Sequence, residues 1–381
     1  ITPRMYGALI KGNATVGRTD GAVLVWESMI KRGVLPDELT LSCMIDAYIE
    51  GCCVEEGFRL FQEWKNEVEC STVTYSTLMK GFAAIRDASR ALAVSAEMRA
   101  LKVPMNHVSY NSLLRACARS GLMSRARGIL EDMVQERCKP NEVTYSVLIS
   151  GFCSRRAHLD LAVQTLREMA ANGFTTNCLI YNTVLLGCVL HSRWELFESM
   201  LKEMDDKGID PSNFTTSIIV KMWSKRRQLE KAIAVVYDVL QSPPRPPWVA
   251  GSFRQETRAD VCVGSCLIGA CVHNGEVHRA LEIFRDMANW PGFDGPDANT
   301  YGALICGLVR ARMIHEAVEA TEESLIKFAT IPTRANVVDR STLRQLFRGI
   351  KSEGLSDKLG RPLFARLAAA GLTVDERWLG Q

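Results

Sequence analysis

The chain has 381 residues, is 47% hydrophobic and 23% charged, and carries a formal net charge of +3. That leaves enough apolar material for a continuous core, and so small a net charge weighs against a nucleic-acid partner without excluding one, since the footprint depends on where the charge sits. Thirteen cysteines, an odd number scattered over a long chain, do not make a secreted disulfide framework and fit a reducing compartment; no run of 18 residues is apolar and free of charge, so no membrane span is expected.

The sequence opens at Ile1, without a methionine and already inside a repeat, so a targeting peptide is expected to have been removed or to lie outside it. From there a helix-starting motif recurs along the chain: 5–12 (MYGALIKG), a weaker 39–47 (LTLSCMIDA), 74–81 (TYSTLMKG), 109–116 (SYNSLLRA), 144–151 (TYSVLISG), 180–187 (IYNTVLLG), a weaker 214–222 (FTTSIIVKM), 262–270 (CVGSCLIGA) and 300–307 (TYGALICG). The tyrosines at 75, 110, 145 and 181 are 35, 35 and 36 residues apart. Apolar pairs such as Leu78/Met79 and Leu113/Leu114 follow the aromatic, and then a small residue, as at Gly81, Ala116, Gly151 and Gly187. Small residues at a fixed place in a helix let a neighbouring backbone approach, which makes this a packing slot.

A second helix follows in each unit, with an alanine and, seven residues on, a methionine: Ala91/Met98, Ala126/Met133, Ala162/Met169 and Ala280/Met287. Seven residues are about two helical turns, so the two side chains share a face. Units close on signals such as Gly33 with Pro36, Pro140 after Cys138, and Gly208 with Pro211, which stop helices. The expected units are 3–37, 38–71, 72–106, 107–141, 142–177, 178–212, 213–260, 261–297 and 298–336, with a degenerate last repeat and cap over 337–381. No strand pattern interrupts them. One such unit cannot bury its own apolar face, whereas stacked neighbours can. The expected fold is therefore all-α: a right-handed α-solenoid of about ten helix-turn-helix repeats of ~35 residues.

Three features stand apart from this rhythm. Residues 241–258 (QSPPRPPWVAGSFRQETR) form a proline-rich insertion that no helix can cross; it is either a tolerated surface loop or a docking segment for a protein partner. Cys262, Cys266, Cys271 and His273 suggest a metal cluster, but the slot of Cys271 holds Tyr48, Phe82, Cys117, Phe152, Cys188 and Trp223 in the other repeats, which marks a packing position. No metal site is expected, no cofactor, and no enzyme, because no nucleophile–base set or phosphate loop stands out. Lys80, Arg115 and Lys221, with Lys11, share one slot a helical turn past the residue after the aromatic. They suit phosphate contacts, or else a solvated face.

The pattern V-T-Y-S/N-x-L-I, then G, then A-x-x-x-x-x-x-M, then P-D/N, resembles the pentatricopeptide repeat family with plain repeats near 35 residues, over nearly the whole chain. The tetratricopeptide repeat, of similar length, typically starts on Trp-Leu-Gly-Tyr, which these slots do not carry. The resemblance implies single-stranded RNA binding, one base per repeat. It implies reading pairs made of the residue after the aromatic and the last residue of the unit: Ser76 with Asn106 for adenine, Asn111 with Asn141 for a pyrimidine (cytosine more than uracil), Ser146 with Asn177 for adenine, Asn182 with Ser212 for cytosine, and Ser217 with Asp260 and Ser265 with Asp297 for guanine. The implied core is 5′-ACACGG-3′. Val73, Val108, Val143, Leu179 and Phe214, with Cys262, would sandwich the bases. Gly7 and Gly302 replace a reading residue, Ser42 pairs poorly with Ser71, and Arg4 and Asn299 replace a sandwiching residue, so the end repeats are expected to bind weakly or to cap. The function expected is an organellar RNA-binding protein, mitochondrial or chloroplastic, in RNA processing, stability or translation. The alternative is a scaffold subunit of an organellar ribosome or another large complex, contacting protein through its end repeats and the 241–258 loop.

Overall fold

A computed structural model describes residues 2–241, 260–290, 295–328, 338–370, 372 and 375–378. These are helical throughout, without a strand among them, and the chain divides into two compact units, Ile1–His191 and Ser192–Gln381. The first unit holds five helical hairpins and a further helix: α1 (Pro3–Thr15) with α2 (Thr19–Lys31), α3 (Glu38–Glu50) with α4 (Val54–Trp64), α5 (Thr72–Ala84) with α6 (Ala88–Ala100), α7 (His107–Ser120) with α8 (Ala126–Gln135), α9 (Glu142–Cys153) with α10 (Leu159–Ala171), and α11 (Cys178–Leu190). The second holds α12 (Trp194–Asp206) and four hairpins: α13 (Asn213–Lys225) with α14 (Leu229–Gln241), α15 (Val261–Asn274) with α16 (Val277–Asp286), α17 (Ala298–Arg310) with α18 (Ile314–Phe328), and α19 (Arg340–Ser352) with α20 (Arg361–Ala369). Within each unit the first helices of successive hairpins pack on one another, α1 on α3, α3 on α5, α5 on α7 and α7 on α9, then α13 on α15, α15 on α17 and α17 on α19. This is the expected all-α solenoid of helical hairpins. The degenerate stretch after residue 337 forms a hairpin of its own, α19 and α20, joined by a π-helical turn at Ser356–Gly360.

Local chemistry sets the helix ends. The last residue of each unit through 261–297 is the N-cap of the next first helix, and Asp339 caps α19: the side chains of Asp37, Ser71, Asn106, Asn141, Asn177, Ser212, Asp260, Asp297 and Asp339 each accept a bond from a backbone N–H in the first turn. Such a cap satisfies a donor that the helix leaves open. Five of the second helices end on a left-handed residue, glycine at Gly33, Gly173 and Gly208 but Lys102 and Arg137 in the same slot of two other units, with φ of 57° and 58°. A side chain there is strained relative to glycine.

Side chains at the repeating positions make the core. Tyr75, Tyr110, Tyr181 and Tyr301 are among the largest fully buried side chains, and Phe61 and Phe284 of the second helices meet Tyr75 and Tyr301 edge-on at 5.4 and 5.1 Å. The alanine–methionine pairs of the second helices are fully buried. The small slot is where first helices meet the hairpin before them: a Cβ added at Gly151 would lie 2.8 Å from Ala118 Cβ, and one at Gly187 would lie 3.0 Å from Cys153 Cβ. The slot of Cys271 is also core, since Phe82, Cys117, Phe152, Cys188 and Cys271 are all buried, while Cys262 is exposed. Among the described residues no group of three or more His, Cys, Asp or Glu is placed to hold a metal, and no helix is long and apolar enough to cross a membrane. Residues 242–259, which carry nearly all of the insertion, lie outside the described residues.

Candidate nucleic-acid interface

In seven of the first helices the second residue is apolar and stands in solvent. Val73, Val108, Val143, Leu179 and Phe214 are exposed, from 43% at Phe214 to 69% at Leu179, and Leu39 and Cys262 occupy the same place. A lone exposed aliphatic residue needs no explanation. An aliphatic or aromatic residue in the same exposed slot of successive helices is different, because nothing in the helix start requires it. Arg4 and Asn299, which break the series, are exposed as well.

On the same helices lie the expected reading pairs, and in four of the six the first member is the more buried; Asn182 and Ser212 are both buried, and Ser265 and Asp297 both half-buried. Ser76, Asn111, Asn182 and Ser217 are buried, Ser217 completely, whereas Asn106 and Asn177 are exposed and Asn141, Asp260 and Asp297 half-buried. The first member is thus not a group on an open groove face. Packing of consecutive first helices encloses it, and the capping residue stands in front. Ser146 and Ser265 are half-buried.

In three pairs the two members are joined. Ser76 Oγ lies 2.7 Å from Ser109 Oγ, which donates to Asn106 Oδ1 at 3.1 Å. Asn111 Nδ2 donates to Asn141 Oδ1 at 3.4 Å, and the Thr144 hydroxyl faces both amide oxygens, at 2.8 Å for Asn111 and 2.9 Å for Asn141. Ser265 Oγ reaches Asp297 Oδ1 at 3.4 Å and shares a short contact with Thr300 Oγ1, which donates to the same carboxylate oxygen at 2.5 Å. Two pairs are not joined in this way. Ser146 Oγ donates to its own helix, at Glu142 O, 2.9 Å, and Ile180 stands where the bridging hydroxyl would be. Ser217 Oγ turns to Cys262 Sγ at 3.6 Å while Asp260 accepts from Asn213 Nδ2 at 3.0 Å, and its bridging place holds Val263. Asn182 lies in the first unit, donating to Cys178 Sγ at 3.3 Å, and Ser212 in the second, in a capping box with Thr215.

Among the cations, Arg115 and Lys221 are exposed. Lys80 is engaged: its Nζ is 2.5 Å from Glu50 and 3.9 Å from Asp46 of the preceding hairpin, and the bond to Glu50 holds its ammonium pKa above the ordinary value. With both partners half-exposed this pair contributes little stability, and a phosphate can compete for the lysine.

Family models agree with the repeating geometry. Models described as "PPR repeat family" match residues 70–119 and 105–154, "Pentatricopeptide repeat domain" matches 164–226, and "PPR repeat" matches 4–34, 39–67, 143–174, 265–290 and 299–323. The chain belongs to the pentatricopeptide repeat family. It is similar to a chloroplastic pentatricopeptide repeat-containing protein of Arabidopsis thaliana, 27% identical over 68% of this chain and 32% of that one. It is also similar to a mitochondrial one from the same plant, 22% identical over 81% of this chain and 61% of that one. The Arabidopsis small ribosomal subunit protein mL103 (rPPR7) is 20% identical over 72% of this chain and 62% of its own length. The chain therefore spans between a third and two thirds of these relatives. Among solved structures it is similar to the pentatricopeptide repeat protein PPR10 from maize, with a TM-score of 0.46 at 17% identity over 98% of this chain and 65% of that one.

The pentatricopeptide pattern hides one set of residues that sequence reasoning passed over. Thr40, Thr74, Ser109, Thr144, Thr215, Thr300 and Thr342, the third residue of their helices, are buried hydroxyls, and Ser109, Thr144 and Thr300 tie together the three joined pairs. Their signal was present in the recurring Thr-Tyr and Ser-Tyr dipeptides, read only for the tyrosine. Where the reading residue is glycine, the hydroxyl remains: a Cβ on Gly302 would sit 3.7 Å from Thr342 Oγ1 and one on Gly7 3.2 Å from Thr40 Oγ1.

Proposed function

We propose that this chain is an organellar single-stranded RNA-binding protein whose repeats between Ser76 and Asp297 each hold one base, with 5′-ACACGG-3′ as the favoured core, and that it acts in the processing, stability or translation of an RNA. The observation that carries this reading is the exposed apolar ladder of Val73, Val108, Val143 and Leu179 in the first unit, with Phe214 in the same helical slot of the second, each on a helix that also carries a polar residue three positions on. An apolar side chain next to a short amide or carboxylate suits a nucleobase, which has an apolar face and a hydrogen-bonding edge. In the three joined pairs the capping residue, Asn106, Asn141 or Asp297, offers the accessible edge, and the first member and its bridging hydroxyl fix its orientation from behind. Arg115 and Lys221, and Lys80 once released by its acids, meet phosphates and add affinity without selectivity. Chloroplastic and mitochondrial relatives support the organellar assignment.

Titration of the full chain with an RNA carrying ACACGG and with a scrambled hexamer, at several salt concentrations, tests this. Affinity falls with salt for both, and the core binds more tightly at every concentration. Equal, weak binding to both would end the base-reading proposal. A second reading, a scaffold within an organellar ribosome, draws on the similarity to a small ribosomal subunit protein. It gains ground if the chain retains protein partners and no RNA in the same assay.

A further inference from the structure

We propose that the last hairpin carries a phosphate clamp: a basic cleft between α19 and the 375–378 turn that holds the ribose–phosphate backbone of the bound strand beyond the last reading pair, whatever its sequence. The nature of the polyanion rests on the RNA reading above. The stripe is Arg340, Arg344, Arg348 and Lys351, at steps of four, four and three residues, which places all of them on one helical face. They line a cleft of about 740 Å³ whose other wall is Arg377 and Trp378. One carboxylate, Asp375, stands among these five cations, and it takes Arg377 Nε at 3.1 Å.

The protein supplies only Asp375 against this charge, paired with Arg377 and within the field of Arg340. Several cations elsewhere pair between successive hairpins: Lys65 with Glu97 at 2.8 Å, Lys80 with Glu50 at 2.5 Å, Arg99 with Asp132 at 2.8 Å, and Arg279 with Glu230. None of Arg340, Arg344, Arg348 or Lys351 forms an ion pair among the described residues. Like charges one turn apart weaken a helix, and Arg340 in the first turn faces the positive end of the helix dipole. A chain of net charge +3 thus concentrates unneutralised charge where it costs stability, which an anionic ligand would offset.

Position completes the argument. α19 packs on α17, which packs on α15, so the stripe continues the series of first helices that bears Ser265 and Asp297. Arg344 stands in the place of the reading residues, the fifth of its helix, and Arg348 in the place of Lys80, Arg115 and Lys221. A run of long guanidinium groups in place of one short amide suits phosphate oxygens, which a planar fork meets two at a time. Trp378 holds the far wall, with its ring 5.8 Å from Phe347 and the Arg340 guanidinium 5.8 Å above it.

The probe is an abasic ribose–phosphate oligonucleotide, which offers phosphates and no bases, titrated into the full chain at several salt concentrations. Wild type should bind it. The Arg344→Gln/Arg348→Gln double variant should reduce the log–log salt slope by about 1.4, two contacts at ~0.7 each on a single strand, with helicity and the melting midpoint unchanged or raised. An Arg155→Gln/Arg156→Gln variant, which removes the same charge from another turn, should leave the slope as it was. If the abasic probe is lost in the α19 variant while ACACGG shows no preference over its scramble, the clamp stands and base reading fails. If ACACGG is selected but the α19 variant binds the abasic probe like wild type, the clamp is wrong. Capture of anionic vesicles with no affinity for the abasic probe would also overturn it.

Discussion

At the residue scale, the buried hydroxyl at the third helical position has two duties. Thr144 accepts from the Asn141 backbone N–H at 3.2 Å, completing a capping box, and faces the Asn111 and Asn141 side-chain oxygens. Its single proton can serve only one of those oxygens at a time, so it couples cap and reading residue instead of satisfying both. Thr144→Val keeps the shape and removes the hydroxyl. It leaves Asn111, which is buried, without its donor, and the expected cost is about 1–3 kcal/mol, read from a denaturant midpoint. In RNA binding, discrimination should weaken at the nucleotide held by Asn111 and Asn141 and at no other, as titrations with RNAs changed at single positions would show. Unchanged selectivity there would mean the bridge only caps the helix. The recurrence of Thr before Tyr was legible in the sequence. Its role was not, because the partner of each hydroxyl lies in the neighbouring hairpin, some 33 residues away for Asn111 and Thr144.

At the scale of the element, a glycine means different things in the same slot of different helices. Gly12, in the first hairpin, has nothing within 4 Å of an added Cβ, whereas one at Gly307 would lie 2.4 and 2.9 Å from the two methyl carbons of Val272. Valine is stiff at χ1, so it cannot swing away. Gly12→Ala should therefore stabilise the chain by up to about 1 kcal/mol, the helix-propensity difference, and Gly307→Ala should destabilise it by about 1–3 kcal/mol through overpacking. Chemical denaturation of both variants checks the pair, and equal shifts would show that the slot is not a contact. The helix pairs, the tyrosine core, the alanine–methionine face and this slot were readable because each repeats in register, and repetition exposes a packing rule. The left-handed Lys102 and Arg137 were not readable, since only comparison with Gly33 and Gly173 in three dimensions shows the slot they fill. Nor was the basic cleft at α19, because only Arg348 of its stripe keeps a cationic slot of the other repeats and its far wall comes from residues 375–378. The burial of Ser76 and Asn111 behind their caps was also beyond the sequence, which gives the order of the pair but not which member faces solvent.

Over the whole molecule, the repeated tyrosine becomes a repeated titratable group. Burial pushes the phenols of Tyr75 and Tyr110 up to about 12 and raises those of Tyr145 and Tyr301 as well, with Glu136 beside Tyr110 and Glu323 beside Tyr301 adding to the effect. Burial likewise lifts the thiols of Cys70 and Cys271 to about 11. In each case the unfolded chain ionises first, near pH 9 for the thiols and pH 10 for the phenols. Above those values the folded state binds more protons than the unfolded state, so stability falls as pH rises, and for Cys70, Cys271, Tyr75 and Tyr110 the loss runs on until the folded groups ionise near pH 11–12. Every residue in this set acts in the same direction, and both compact units contribute. The expected outcome is cooperative alkaline unfolding: thermal midpoints nearly level from pH 7 to about pH 9, then falling steeply. Tyrosinate absorbance and loss of helicity should rise together along a pH titration, because a phenol that ionises only when its repeat opens reports the opening. Tyrosinate that forms while helicity is intact would show that the tyrosine slot is open to solvent, and would contradict the packing on which the stack depends.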